Sequence, residues 1–256
     1  VDYVQESPLG PGAALSAFLD IVPVGKPWFF WLGFDSPHHP WTNIGPFGMP
    51  DPDGLTLPGY LPDLPGVRED LAKYIAEVEY LDLSIKNVLA VLSQRGLAND
   101  TVVVFMGDNG LALPHGKGTL YDPGVNVPML VRWPGVVHPG RTTKEVISGE
   151  DFTPTILEIA GVIPPEEMSG VSFLKLLKGN PAFEGRKYVF TSRTTHGGDG
   201  SMSPNIASAA FDLSRAVRST NFKLIYNTTP HQPYVPVDSN NDPSWLEMKA
   251  AFAAGT

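Results

Sequence analysis

The stretch Gly96-Leu97-Ala98-Asn99-Asp100-Thr101-Val102-Val103-Val104-Phe105-Met106-Gly107-Asp108-Asn109-Gly110 decides the fold class. It joins a helix stop, a turn, a wholly apolar run and an abrupt polar turn, which is the grammar of a helix feeding a buried strand. Upstream, Leu71, Tyr74, Ile75, Val78, Leu81, Ile85, Val88, Leu89 and Leu92 recur at spacings of three and four, predicting a helix over 67–95. Glu69 and Asp70 suit its first turn, Arg95 its last, and Glu69/Lys73 and Asp82/Lys86 are i,i+4 pairs in the favourable order. Gly96 ends it. Downstream, Pro128–Trp133 reads as another strand. A helix follows, with Asp151 as its cap, Pro154 in its first turn and Gly161 at its end.

Before the helix, Trp28–Phe34 is continuously apolar and bounded by prolines, predicting a strand buried on both faces. Residues 35–66 are rich in Pro and Gly and read as a long functional loop. Alternating helices and apolar strands give an α/β fold with a mostly parallel sheet flanked by helices. After about residue 180 the strands shorten to Tyr188–Ser192, Ala216–Arg218 and Phe222–Tyr226, a smaller antiparallel α+β unit. The expected division is therefore 1–180 and 181–256.

Composition narrows the function. With 26 Gly and 26 Pro in 256 residues and 18% charged residues, the chain is loop-rich but not low-complexity. A net charge of −9 argues against a nucleic-acid partner, which needs a basic footprint. It also repels polyanions at long range, so an anion site must be a local cluster of cations or metal. No cysteine is present, which removes thiolate chemistry and disulfides from these residues. No apolar run approaches the ~18–20 residues of a membrane span, and no signal peptide is visible. Since the chain starts at Val1, composition leaves the compartment open, and the oligomeric state with it.

In open α/β sheets, ligands bind beyond the carboxyl ends of the strands. Two clusters fall there: Asp35-Ser36-Pro37-His38-His39-Pro40-Trp41, and Gly107-Asp108-Asn109-Gly110 with the following His115-Gly116-Lys117-Gly118-Thr119-Leu120-Tyr121. Asp108 and Asn109 offer hard oxygen donors suited to calcium or magnesium, though calcium takes ~6–8 such ligands. Asn-Gly is equally a turn pair. Lys117 between glycines suits an anion contact or a solvated loop. His38 and His39 suit proton transfer near neutral pH or a surface position.

In order and spacing, these clusters resemble the sulfatase family of the alkaline-phosphatase-like superfamily. Further parts of the likeness are Val127-Pro128-Met129-Leu130-Val131-Arg132-Trp133-Pro134-Gly135 and Asp151-Phe152-Thr153-Pro154-Thr155. Arg68–Tyr74 and Ala216–Arg218 with Phe222–Asn227 look most like the heparan N-sulfatase (sulfamidase-like) branch. The resemblance implies that Asp108 and Asn109 are calcium ligands, that Lys117 contacts the sulfate group, and that His38 lies near the leaving oxygen. His39 falls at a variable position and receives no role. Arg193 and His196 face the substrate in the sulfamidase-like branch.

The same resemblance implies a sulfated carbohydrate substrate, O- or N-linked, and a periplasmic, secreted or lysosomal setting. The rival expectations are a phosphoester or phosphonate hydrolase of the same superfamily and a non-catalytic glycan-binding module. The family's nucleophile, a formylglycine made from Cys or Ser in Cys/Ser-x-Pro-x-Arg, has no counterpart in this sequence. Its N-terminal Asp-Asp metal pair, its Gly-Lys-x-His segment and its terminal Glu-Leu-Tyr-Asp-Leu stretch have none either. The expectation is an internal fragment, inactive by itself, with the formylglycine outside the chain.

Overall fold

The computed structural model describes residues 4–5, 10–195, 211–231 and 233–255. Helix α1 (Pro11–Ile21) precedes α2 (Pro65–Gln94), and the short α3 (Asp122–Val125) lies between strands β3 (Val103–Met106) and β4 (Met129–Arg132). Helices α4 (Phe152–Ile159) and α5 (Leu174–Leu177) follow. Strands β5 (Val189–Thr195), β6 (Phe211–Arg218) and β7 (Lys223–Asn227) lead to the final helix α6 (Pro243–Ala254). Near the start, β1 (Val4–Gln5) pairs in parallel with β2 (Leu32–Gly33).

Helix α2 begins two residues earlier than its periodicity implies, because Pro65 occupies its first turn after extended Leu64. Glu69 and Asp70 therefore sit in the second turn. Glu69 pairs with Lys73 at 2.7 Å as expected. Asp70 is buried instead of serving the dipole, and its Oδ2 accepts the Ser244 amide of α6 at 2.8 Å. Gly96, at φ 70°, ends the helix with Leu97 N–H donating to the Leu92 carbonyl. Arg95 reaches sideways to Ser16 and Asp20, tying α1 to α2. The core cluster of Leu61, Val67, Leu71 and Leu113 joins the start of α2 to the loop after β3, with Met248 of α6 packed against it.

The aromatic run differs from its expectation. Among the described residues only Leu32–Gly33 is paired as a strand, and Phe29 and Trp31 are about half exposed, at 49% and 48%. The side chains still alternate. Trp28 and Phe30 turn to Phe18 of α1, at ring separations of 6.0 and 4.8 Å, while Trp31 meets Phe152 of α4 edge-on. The faces of the run are therefore covered only where α1 and α4 reach it among the described residues. Strand β4 runs antiparallel to β3. Their connection, residues 107–128, holds the candidate Asp108–Lys117 segment and the short α3. Strands β5, β6 and β7 form the antiparallel sheet the sequence predicts, and β5 and β6 are longer than the pattern implies.

Asp151 precedes α4 but does not bond its amides. It closes a capping box with Ser148, accepts the Val171 amide at 2.7 Å and pairs with Arg186 at 2.6 Å. Gly161, at φ 75°, terminates α4 as read.

One buried carboxylate positions the 35–43 loop. Glu77, in the middle of α2 and 1% exposed, accepts hydrogen bonds from Ser36 Oγ (2.7 Å), the Thr42 and Asn43 amides (2.6 Å each) and Asn43 Nδ2 (3.1 Å). Burial opposes its ionisation, but these donors outweigh burial and hold the carboxyl below its ordinary value. Glu77→Ala strands these donors and is expected to cost roughly 3 kcal/mol in urea unfolding; Glu77→Gln, which keeps an acceptor, is expected to cost less. A lowered folded pKa means that the stabilisation is complete above the ordinary value of 4.5 and is lost as pH falls through the folded one. The loss of stability on acidification below pH 4.5 is therefore expected to be smaller in Glu77→Gln than in the parent chain.

A candidate active site at the strand ends

The 35–40 loop begins with a turn in which the His38 amide donates to the Asp35 carbonyl at 2.7 Å. Both the Ser36–Pro37 and His39–Pro40 bonds are cis. His38 Nδ1 lies against the His39 carbonyl. A neutral ring that donates there presents Nε2 as an acceptor. Lys117 Nζ sits 2.9 Å from that Nε2, so the two residues singled out 79 positions apart meet side by side. His39 points elsewhere. Its Nε2 lies 2.8 Å from Asp242 at the head of α6, and its ring meets Trp41 edge-on. Burial holds Asp242 above the ordinary carboxylate range even with His39 beside it.

Lys117 is held out by a compact loop. Gly110 lies so close to the Pro123 carbonyl that a Cβ would stand 1.7 Å from it, and Gly118 (φ 77°) would set a Cβ 2.3 Å from Val237 Cγ2. His115, at φ 64°, donates its amide to the Tyr234 hydroxyl at 2.6 Å and stacks on that ring at 4.6 Å. Burial lowers the His115 pKa and pushes the Tyr234 phenol up to about 12, so both are neutral at pH 7 and the pair is a packing element. Asp122, at the start of α3, pairs with Arg218 and Lys223, fastening the loop to β6 and β7. Hydrogen bonding from Lys223, with Arg218 beside it, keeps the Asp122 carboxyl below its usual range.

Asp108 and Asn109 follow β3 directly and line the same cleft as His38 and Lys117. Asp108 Oδ1 accepts the Asn109 amide at 2.8 Å, and Asn109 Nδ2 donates to the Gly110 carbonyl at 2.8 Å. That last bond uses the amide nitrogen, leaving its oxygen as a donor atom for a cation. Carboxylate plus amide oxygen is the chemistry of a hard-cation site, but these are two donors where calcium needs ~6–8. Among the described residues no group of three or more His, Asp or Glu side chains comes together for a metal. The residues thus fit part of a calcium shell. The cleft, about 2120 Å³, is far larger than a single ligand pocket. Its aromatic end is formed by Trp28–Phe34, and the candidate site is its polar end.

Arg193 lies beside the Lys117 loop. It pairs with Asp212 at 2.6 Å and donates to the Gly118 carbonyl at 2.8 Å, bracing the loop behind Lys117. His196 lies outside the described residues. The sequence reading overlooked Asp238, whose Oδ2 is 2.6 Å from Lys117 Nζ and 3.9 Å from His38 Nε2. The only local sign was an acidic residue in a stretch punctuated by Pro230, Pro233, Pro236 and Pro243.

Comparison with known proteins gives matches along most of the chain. The sulfatase family model matches residues 13–162, and that of the N-sulphoglucosamine sulphohydrolase C-terminal region matches 114–254. An ulvan-active sulfatase of Formosa agariphila is 34% identical over 185 residues, covering 72% of this chain and 28% of the relative. Human N-sulphoglucosamine sulphohydrolase is 29% identical over 249 residues, covering 84% of this chain and 46% of the relative. The chain therefore spans less than half the length of these curated relatives.

Among solved structures, a protein of a Bacteroides thetaiotaomicron glycosaminoglycan-metabolism locus superposes with TM-score 0.69 at 22% identity, over 95% of this chain and 55% of its own. A phosphonate monoester hydrolase from Silicibacter pomeroyi gives 0.64 at 22%, over 95% and 58%. At such identity the likeness establishes the alkaline-phosphatase-like α/β fold and nothing about substrate.

Gly118→Ala is expected to destabilise the chain by about 2 kcal/mol or more, adding a left-handed backbone cost to overpacking against Val237. Val237→Ala in the same chain is expected to recover the overpacking part and leave the backbone part, read as a double-mutant cycle in urea unfolding.

Proposed function

Because the chain belongs to the sulfatase family, we propose that it carries the anion-gripping side of a sulfuric ester hydrolase acting on sulfated sugars, O- or N-linked. The reading includes calcium held in part by Asp108 and Asn109, and a formylglycine nucleophile supplied from outside these 256 residues. The observation that carries it is the meeting of Lys117 and His38 at 2.9 Å in a cleft also lined by Asp108 and Asn109. Zinc-dependent phosphoester sites favour nitrogen ligands, whereas the residue after Asp108 is an oxygen-donating asparagine. The matched relatives are named for sulfated substrates, including ulvan and N-sulphoglucosamine.

Each residue then has a defined task. Lys117 Nζ, a compact ammonium, binds a sulfuryl oxygen and balances the charge that grows there as the bond to sulfur breaks. A calcium ion, when bound, would be held in part by Asp108 and Asn109 and would supply further positive charge to the site. His38, when protonated, carries an Nε2–H that can pass to the leaving oxygen or nitrogen. Glu77 holds the loop that carries His38 through Ser36, Thr42 and Asn43, and Arg193 holds the backbone beside Lys117 through the Gly118 carbonyl. No described helix is long and apolar enough to cross a membrane.

In the complete enzyme, Lys117→Ala is expected to lower kcat/KM for a sulfated sugar on the order of 10²–10³-fold. His38→Ala should lower it by roughly 10²-fold or more, and less for an activated aryl sulfate whose leaving group needs no proton. Asp108→Ala should lower the calcium content measured by metal analysis. Variants of Lys117 and His38 that turn over within a few-fold of the parent enzyme would refute the assignment.

A further inference from the structure

The geometry points to Asp238 as the residue that reads the substituent beside the sulfate, and we propose that it selects a hydrogen-bond donor there, a hydroxyl or amino group, against a second anion. The inference rests on the anion site assigned above and extends it to the rest of the substrate. Asp238 comes from the segment between β7 and α6, which lies beyond residues 13–162 of the sulfatase family match. It nevertheless reaches both Lys117 (2.6 Å) and His38 (3.9 Å). The group that binds the anion and the group that faces its neighbour are therefore supplied by different parts of the chain.

An ionised carboxylate only accepts hydrogen bonds. Asp238 Oδ2 is buried and in ionic contact with Lys117, yet no donor is aligned on it for a hydrogen bond. Asp238 is about one-fifth exposed, so its charge is only partly screened by water. When a sulfate takes up the Lys117 ammonium, two anions share one cation, and Asp238 loses part of its compensation. A hydroxyl or ammonium on the adjoining carbon restores it by donating to the carboxylate. A second sulfate or a carboxylate there adds repulsion at a separation where like charges interact strongly. Gly118, in contact with Val237, holds the two segments close enough for this to operate.

The test uses small sulfonates that cannot be hydrolysed: ethanesulfonate, with no donor; 2-hydroxyethanesulfonate, with a hydroxyl; 2-aminoethanesulfonate, with an ammonium; and ethane-1,2-disulfonate, with a second anion. Affinities are read by calorimetric titration of the complete enzyme, with inorganic sulfate alongside. The expected order places the amino and hydroxy compounds first and the disulfonate last. In Asp238→Asn, the ratio between the aminosulfonate and the disulfonate is expected to shrink about tenfold, while inorganic sulfate binds several-fold more tightly because Lys117 is no longer shared. An unchanged ratio in Asp238→Asn overturns the inference while leaving the anion site standing. Ethanesulfonate binding that is indifferent to Lys117→Ala overturns the anion site, and the inference with it. Should Asp238→Asn fail to fold, Asp238→Ser carries the same expectation and the same refutation.

Discussion

Glu77 is a charge placed where charge is expensive, in the middle of the longest helix and almost wholly out of water. Such a group persists only when its hydrogen-bonding capacity is met, and here it is met entirely by the 36–43 loop. The constraint runs in both directions. The loop has no regular structure of its own, so its amides need an acceptor, and the helix offers one at a fixed height. Since α2 is anchored by Arg95 to α1 and by Asp70 to α6, the position of His38 is inherited from the longest helix described. A loop supplies the chemistry while a helix supplies the precision.

Around that loop the electrostatics are local rather than global. The chain as a whole carries −9, yet the polar end of the cleft brings an ammonium and an imidazole together. The nearby carboxylates are largely spoken for: Asp122 by Arg218 and Lys223, Asp212 by Arg193. Pairing acids behind the loop lets Lys117 face the cleft with Asp238 alone as its counter-ion among the described residues. A site arranged this way admits an anion at short range without attracting polyanions from a distance.

How far the sequence disclosed this follows from the range of the interactions involved. Helix α2, its glycine stop, β3, β4 and the three-stranded C-terminal sheet repeat a pattern with a short period, and each lay within a few residues of its reading. The aromatic run carries the composition of a buried strand, but burial depends on what packs over its faces, and among the described residues Phe29 and Trp31 stay about half exposed. Lys117 and His38 were legible because the resemblance fixed their order. Glu77 and Asp238 were not. One looks like any acid on a mixed helix, the other like any acid in a polar loop, and their partners lie 34–41 and 121 positions away in the chain.

Arg193 shows how a residue named by resemblance is tied into the scaffold. The likeness to the sulfamidase-like branch implies that it faces the substrate. Its guanidinium spans Asp212 and the Gly118 carbonyl, and a planar fork engaged on two sides braces the Lys117 loop. The same segment of chain that carries the brace in β5 continues through β6 and β7 to Asp238. The C-terminal sheet therefore holds the Lys117 loop through the Gly118 and Leu120 carbonyls, with Arg193 and Lys223, while Asp238 beyond the sheet meets the Lys117 ammonium itself. Changing the length of the β7–α6 connection would move the carboxylate without moving the brace, so the two contacts to this loop can vary independently.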